Sequence, residues 1–220
     1  MKKIIGILGG IGPESTGRFY LNLIENFQNK FRPENNTQYP QIIINSIPAP
    51  ELIYDRVDKQ ILDYYTKSLK QLESNNCDFM VIVCNTAYCF LDEFQKEVKT
   101  PIINLSDEVR NYLLGKKVKT ATRLVSSTGY SHNLYKFSEI KYNELTDEEV
   151  KSLEGAIANF NIGKDKKIQT EKAIKIYEKY SAKSDVVILG CSELACMLKN
   201  GGKNTIDPLD LLVDATLRNL

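Results

Sequence analysis

Hydrophobic positions along this chain alternate between two rhythms. Short, largely apolar runs at residues 3–8, 41–47, 79–83, 101–105, 120–125, 186–189 and 205–206 have the length and composition of strands buried in a sheet. Between them the apolar residues fall three and four apart, as at Ile61, Leu62, Tyr65, Leu69 and Leu72, which is the stripe of a helix lying on a sheet. This spacing predicts helices from Pro13 through Tyr20 toward Phe27, over 58–73, across Cys89, Phe90 and Phe94, over 106–114 and over 170–180. Thr146-Asp147-Glu148-Glu149 reads as a capping box opening a helix toward Phe160, and Asp207-Pro208 opens a closing helix through Leu217. Strand and helix in alternation predict α/β layers with parallel sheets. No low-complexity segment or long linker interrupts the pattern. Two lobes are therefore expected, 1–100 with 206–220 and 101–205, joined tightly around 99–107 and again near Asp207.

Composition narrows the partners. Of 220 residues 42% are hydrophobic, enough for a packed core. Lys and Arg total 29 against 28 for Asp and Glu, and a net charge of +1 leaves no basic footprint for nucleic acid or an anionic membrane surface. The longest apolar runs are too short to span a bilayer, and the start of the chain lacks the pattern of a signal peptide, so a cytoplasmic protein acting on a small molecule is expected. Five cysteines without a secretion signal argue for reduced thiols over a disulfide framework.

Two of those cysteines end matching phrases, Asp78-Phe79-Met80-Val81-Ile82-Val83-Cys84-Asn85-Thr86-Ala87 and Asp185-Val186-Val187-Ile188-Leu189-Gly190-Cys191-Ser192-Glu193-Leu194. Each thiol should emerge at the carboxyl end of a parallel strand, the edge where open α/β sheets bind ligands. There, helix-start amides, with Asn85, Thr86 and Ser192 as capping residues, should depress the thiol pKa. A lone nucleophilic cysteine usually needs a histidine base, and the only histidine is His132, which reads as a structural loop residue. Two facing thiols suit a different chemistry, in which one removes a proton from a carbon while the other delivers one to the opposite face. The competing reading is that Cys84 and Cys191 are core thiols, which buried cysteines often are.

Other constellations weigh less. Gly10-Ile11-Gly12-Pro13-Glu14-Ser15 approximates a dinucleotide loop but has serine for its third glycine, and the next strand ends in Asn45-Ser46 without a ribose-binding acid. Cys84 to Cys89 and Cys191 to Cys196 share a spacing of five, which on a helix points side chains about 140° apart, so Cys89 and Cys196 read as core residues. No cofactor and no metal is expected, and Cys77 needs no role.

At the level of motifs the chain resembles the aspartate/glutamate racemase superfamily. The resemblance rests on Gly6-Ile7-Leu8-Gly9-Gly10-Ile11-Gly12-Pro13-Glu14-Ser15-Thr16, on Cys84-Asn85-Thr86-Ala87 and on Gly190-Cys191-Ser192-Glu193-Leu194, in order across nearly the whole length. It implies two pseudo-symmetric lobes, each a mainly parallel sheet flanked by helices, with the active site in the cleft between them. It also implies cofactor-independent racemisation with Cys84 and Cys191 as the acid/base pair, with a homodimer among the assemblies such a protein could form. By the same resemblance Asn85, Thr86 and Ser192 fall where substrate ammonium and carboxylate are held, Gly10, Ile11 and Gly12 on the loop lining the site, and Ser126 and Ser127 where a Thr-Thr pair is common. Glu193 is a candidate for orienting or tuning Cys191.

The chain also departs from that pattern. Tyr88 stands where a histidine is usual, and Glu51-Leu52-Ile53 replaces the Pro-Asp-Arg of aspartate-selective members, with Arg56 three residues late. The tyrosine and lysine expected in the helix before the last third fall on Ala158 and Ile162, leaving Arg56 or Lys164 as substitute partners for a side-chain carboxylate. The expectation is an acidic amino-acid racemase, aspartate before glutamate. The alternatives are a racemase or decarboxylase of another substrate, or a non-catalytic binder of an acidic ligand.

Overall fold

The computed structural model describes residues 3–198, 202 and 204–220, and contains two parallel sheets. The first has the order β2-β1-β3, with β1 spanning Ile4–Gly9, β2 Gln41–Ser46 and β3 Phe79–Ile82. β1 is paired on both sides, Leu8 lying beside Asn45 and Ile82, and Ile5, Ile7 and Leu8 have no exposed surface. A strand enclosed on both edges and both faces must be apolar throughout, which is why this run reads without alternation. Helix α1 (Pro13–Phe31) opens with proline at its first turn and buries Phe19, Leu23 and Phe27 at fourfold spacing. Helix α2 (Lys59–Glu73) is capped by Asp58, whose Oδ1 accepts the Ile61 amide at 2.9 Å.

After β3 the chain enters a 3₁₀ helix, Thr86–Phe90, and then α3 (Leu91–Glu97), so Cys89 and Phe90 lie on the tighter turn and Phe94 on the helix proper. The strand expected over 101–105 reduces to a single parallel bridge between Ile102 and Met80. Asn104 ends it: its side chain accepts the amides of Ser106 and Asp107 and starts α4 (Leu105–Gly115) at once.

The second sheet has the order β5-β4-β6-β7, with β4 at Thr120–Arg123, β5 at Lys141–Tyr142, β6 at Val186–Ile188 and β7 at Thr205–Ile206. Around it lie α5 (Ser127–Ser131), α6 (Asp147–Asn161), α7 (Lys166–Ser181) and α8 (Ser192–Met197); α9 (Pro208–Arg218) returns to pack on α1 and α4. The capping box forms as its sequence predicts, with Thr146 and Glu149 bonding each other's backbone. Where β4 ends, Arg123 is 1% exposed and sits between the rings of Tyr130 and Tyr142, donating to the Leu134 carbonyl and to Glu144. Among the described residues no helix is long and apolar enough to cross a membrane.

Candidate active site

Three strand ends deliver residues to one small pocket with about 30 Å³ of room in it. The turn after β1 contributes Ile11, the turn after β3 contributes Cys84, Asn85 and Thr86, and the turn after β6 contributes Cys191, Ser192 and Glu193. Glu51, Leu52 and Ile53, in the strap between β2 and α2, close one wall, and Ile157 and Asn161 of α6 close another. The two thiols, from strand ends of different sheets, thus line a single pocket while remaining buried.

Each sulfur is met by backbone donors left over where a strand turns into a helix. The amides of Thr86 and Ala87 favour the thiolate of Cys84, and the Ser126 amide, from the crossover after β4, favours that of Cys191. The crossovers are also tied through hydroxyls, Thr86 Oγ1 lying 3.2 Å from Ser126 Oγ. Asn85, 1% exposed, accepts the Tyr135 hydroxyl on Oδ1 at 2.6 Å, while its Nδ2 has no partner among the described residues. A buried amide donor left unpaired beside a cavity costs free energy unless something in the cavity accepts from it. Glu193 accepts from Asn161 Nδ2 at 3.1 Å and from Ser192 Oγ at 3.3 Å. A β-carbon at position 12 would lie 2.4 Å from Glu193 Oε1, so only glycine lets this anchored carboxylate keep its place.

The three cavity-lining turns all fall inside the stretch, residues 8–216, that matches the model of the Asp/Glu/Hydantoin racemase family. The chain belongs to this family. It is 27% identical over 207 residues, 89% of this chain and 87% of the relative, to the broad specificity amino-acid racemase RacX of Bacillus subtilis. An aspartate racemase homologue from Pyrococcus horikoshii superposes with a TM-score of 0.74 at 26% identity, covering 100% of this chain and 99% of the other. The aspartate racemase of Picrophilus torridus superposes at 0.81 over 99% and 94% of the two chains, and at 22% identity it speaks for the two-lobed fold alone.

In this amino-acid racemase the thiols are harder to ionise than helix-start amides would suggest. Burial pushes Cys84 up to about 12, Glu193 adds to the rise, and the amides of Ala87 and Thr86 only partly offset it. Cys191 is pushed well above the ordinary thiol value by burial, then by Glu193, Cys84 and Glu154, against the Ser126 amide. The depressed pKa expected from sequence is thus reversed, because removing water from a thiolate outweighs the one or two amides that favour it. Glu193 itself is raised, first by burial, against its own amide, Asn161 and Ser192.

Several predicted residues of the racemase lie elsewhere. Gly10 adopts φ +85°, and its amide donates to Thr16 Oγ1 at 3.0 Å, so it is not free for a carboxylate. Ser127 is committed to Glu154, which on Oε1 receives the Ser127 amide at 2.8 Å, the Ser127 hydroxyl at 2.6 Å and the Tyr54 amide at 2.9 Å. Ser126 caps α5, accepting the Gly129 amide at 3.1 Å. Tyr88 turns beneath the sheet, its hydroxyl accepting the Ile82 amide at 3.2 Å, and His132 packs edge-on against Phe90 with Nδ1 3.0 Å from the Thr128 carbonyl. Arg56 lines a neighbouring depression with Tyr54 and Arg123, and Lys164 is exposed beyond α6; neither lines the thiol cavity. On α6 the cavity-facing positions are Ile157 and Asn161 and not Ala158 and Ile162, since Ile162 is 73% exposed. Leu153, Ile157 and Phe160 are buried together and fix that register; counting from one of them every three or four residues finds Glu154 and Asn161 on neighbouring ridges.

Proposed function

We propose that this racemase inverts the α-carbon of a free amino acid by two-base proton transfer between Cys84 and Cys191, without a cofactor. The observation that carries the reading is the convergence of two buried thiols, each favoured by backbone amides, on one pocket that is also lined by Asn85, whose Nδ2 has no partner among the described residues. In the productive state one sulfur is a thiolate and the other a thiol. The substrate ammonium sits against Glu193 and its carboxylate against Asn85 Nδ2, with the Thr86 and Ser192 hydroxyls beside it; Gly12 keeps Glu193 in position. The ammonium offsets the carboxylate that opposes ionisation of both thiols, so binding itself makes the base available.

The thiolate removes the α-proton, and the C–H electron pair passes into the substrate carboxylate, where the Asn85 donor stabilises the growing charge. The opposite thiol then gives its proton to the other face of the carbon. Each turnover exchanges the protonation states of the two sulfurs, and turnover of the mirror-image substrate restores them. An acidic substrate, aspartate before glutamate, would further need a cation beside its side-chain carboxylate. No lysine or arginine lines the cavity among the described residues, so the proposal is confined to the α-carbon chemistry. We retain as part of it the division into 1–100 with 206–220 and 101–205. Sheet membership of β1 to β3 and of β4 to β6 supports it, while packing of α4 on α9 draws residues 105–115 toward the first lobe.

Incubation with each L-amino acid in deuterated water tests the proposal. At least one substrate should gain deuterium at Cα and invert, with no cofactor added and no effect of a chelator. Exchange without inversion would point to a single base, and absence of exchange from every amino acid would discard the reading.

A further inference from the structure

The charged side chains that line the thiol cavity are both carboxylates, Glu193 in its depth and Glu51 at its rim. Glu193 is held by Asn161 and Ser192 and is matched to a substrate ammonium by its place beside the thiols. Glu51 has no hydrogen bond and no ion pair among the described residues, although Arg56 is only five positions along the strap and lines the neighbouring depression. The aliphatic part of the same lining is made by Ile11, Leu52, Ile53 and Ile157. An α-amino acid entering this space satisfies Asn85 Nδ2 with its carboxylate and Glu193 with its ammonium. Its side chain then runs along this aliphatic lining toward an unmatched negative charge.

We propose that the preferred substrates are amino acids with a cationic side chain, of the lysine, ornithine or arginine type, with Glu51 receiving the terminal charge and Ile53 and Ile157 packing on the methylene stem. The inference rests on the α-carbon chemistry proposed above and names its substrate class. Selectivity follows from charge as much as from contact. A dicarboxylic substrate adds a side-chain carboxylate, besides its α-carboxylate, to a cavity already lined by two, while a neutral side chain leaves Glu51 to water. Because Glu51 is exposed, screening keeps its discrimination modest, on the order of tenfold and well below what a fully buried polar clamp achieves.

Lysine and norleucine separate the terms, since they share a four-carbon stem and differ in the ammonium. Calorimetric Kd values and kcat/KM should both favour lysine over norleucine by about tenfold, and aspartate and glutamate should fall below norleucine. In Glu51→Gln the lysine-to-norleucine ratio should fall to within about twofold of one, and in Glu51→Lys the glutamate-to-norleucine ratio should rise above its wild-type value. Preference of the wild type for aspartate or glutamate, or a lysine-to-norleucine ratio unmoved by Glu51→Gln, would overturn the assignment. The binding arm keeps the two proposals apart. Tighter lysine binding that depends on Glu51, without deuterium exchange, would reject the two-base reading and leave this one standing; exchange with an acidic preference would do the reverse.

Discussion

The two cysteine crossovers begin from nearly the same sequence phrase and end in unequal environments. After β3, Cys84 is followed by a 3₁₀ helix that turns two consecutive amides, Thr86 and Ala87, toward its sulfur. After β6, Cys191 opens the six-residue α8, and its amide donor comes from Ser126 on the adjoining crossover. Glu193 opposes ionisation of both, but Glu154 and Cys84 add to the opposition at Cys191. Strand-end position puts a thiol at the right edge of a sheet; neighbouring carboxylates and donor count decide how readily it loses its proton. By that measure Cys84 is the more readily ionised thiol of the resting protein, and Cys191 the one that holds its proton more firmly.

Removing either sulfur should have the largest effect. Cys84→Ser and Cys191→Ser should each lower racemisation by about a thousandfold or more, because a hydroxyl is a far weaker acid than a thiol at nearly the same size. Circular dichroism should show both variants folded. A single variant that retained a tenth of wild-type turnover would break the pairing of the two crossovers.

The charge between them should matter next. In the wild type, kcat/KM should climb with pH from neutrality into the alkaline range if the proposed thiolate is the base, because its pKa is raised, to about 12 at Cys84. Glu193→Gln removes the carboxylate that raises both thiols, so the limb should move to lower pH by about one unit and alkylation by iodoacetamide at pH 8 should quicken by about tenfold. Mass spectrometry should find Cys84 alkylated ahead of Cys191 in the wild type. Equal labelling would erase the asymmetry. KM should rise in the same variant, because the substrate ammonium loses its partner.

The smallest effect sharpens how the crossovers are held together. Ser126→Ala keeps the amide that serves Cys191 and removes the hydroxyl that meets Thr86 and caps α5. It should cost about 1 kcal/mol of stability by denaturant unfolding, with kcat falling only a few fold if the thiols depend on amides more than on the hydroxyl link.

What sequence could reveal divides along the same physical line. Periodicity and turn residues located the central strands, α1, α2 and the capping box at Thr146, because each depends on residues within a few positions. The motif phrases located Cys84, Asn85, Thr86, Cys191, Ser192 and Glu193, which line the cavity. Properties fixed by distant neighbours were illegible. The two-residue β5 is too short for any periodicity, and the bridge at Ile102 is cut off by the Asn104 cap. Thiol pKa reversed sign because burial is a tertiary quantity. The α6 positions that the resemblance matches to a tyrosine and a lysine, Ala158 and Ile162, stand one residue, a rotation of about 100°, from the cavity-lining Ile157 and Asn161. Glu154 shows no local signal at all; its importance lies in the three donors that converge on one oxygen.

The strap that walls the cavity also sets a clock. Its Tyr54 amide is held by Glu154, its Asp55 amide by Thr128 Oγ1 at 3.0 Å, and Asp55 Oδ1 by the Ser131 hydroxyl at 2.7 Å, with Tyr54 and Asp55 both at positive φ. If each bond contributes about 1 kcal/mol, unlatching all of them together leaves the strap open roughly one part in a hundred. Capture of an amino acid would then proceed at about a hundredth of the encounter rate. Escape is slowed through the same door by the same factor, so the strap would lengthen each visit as much as it delays entry.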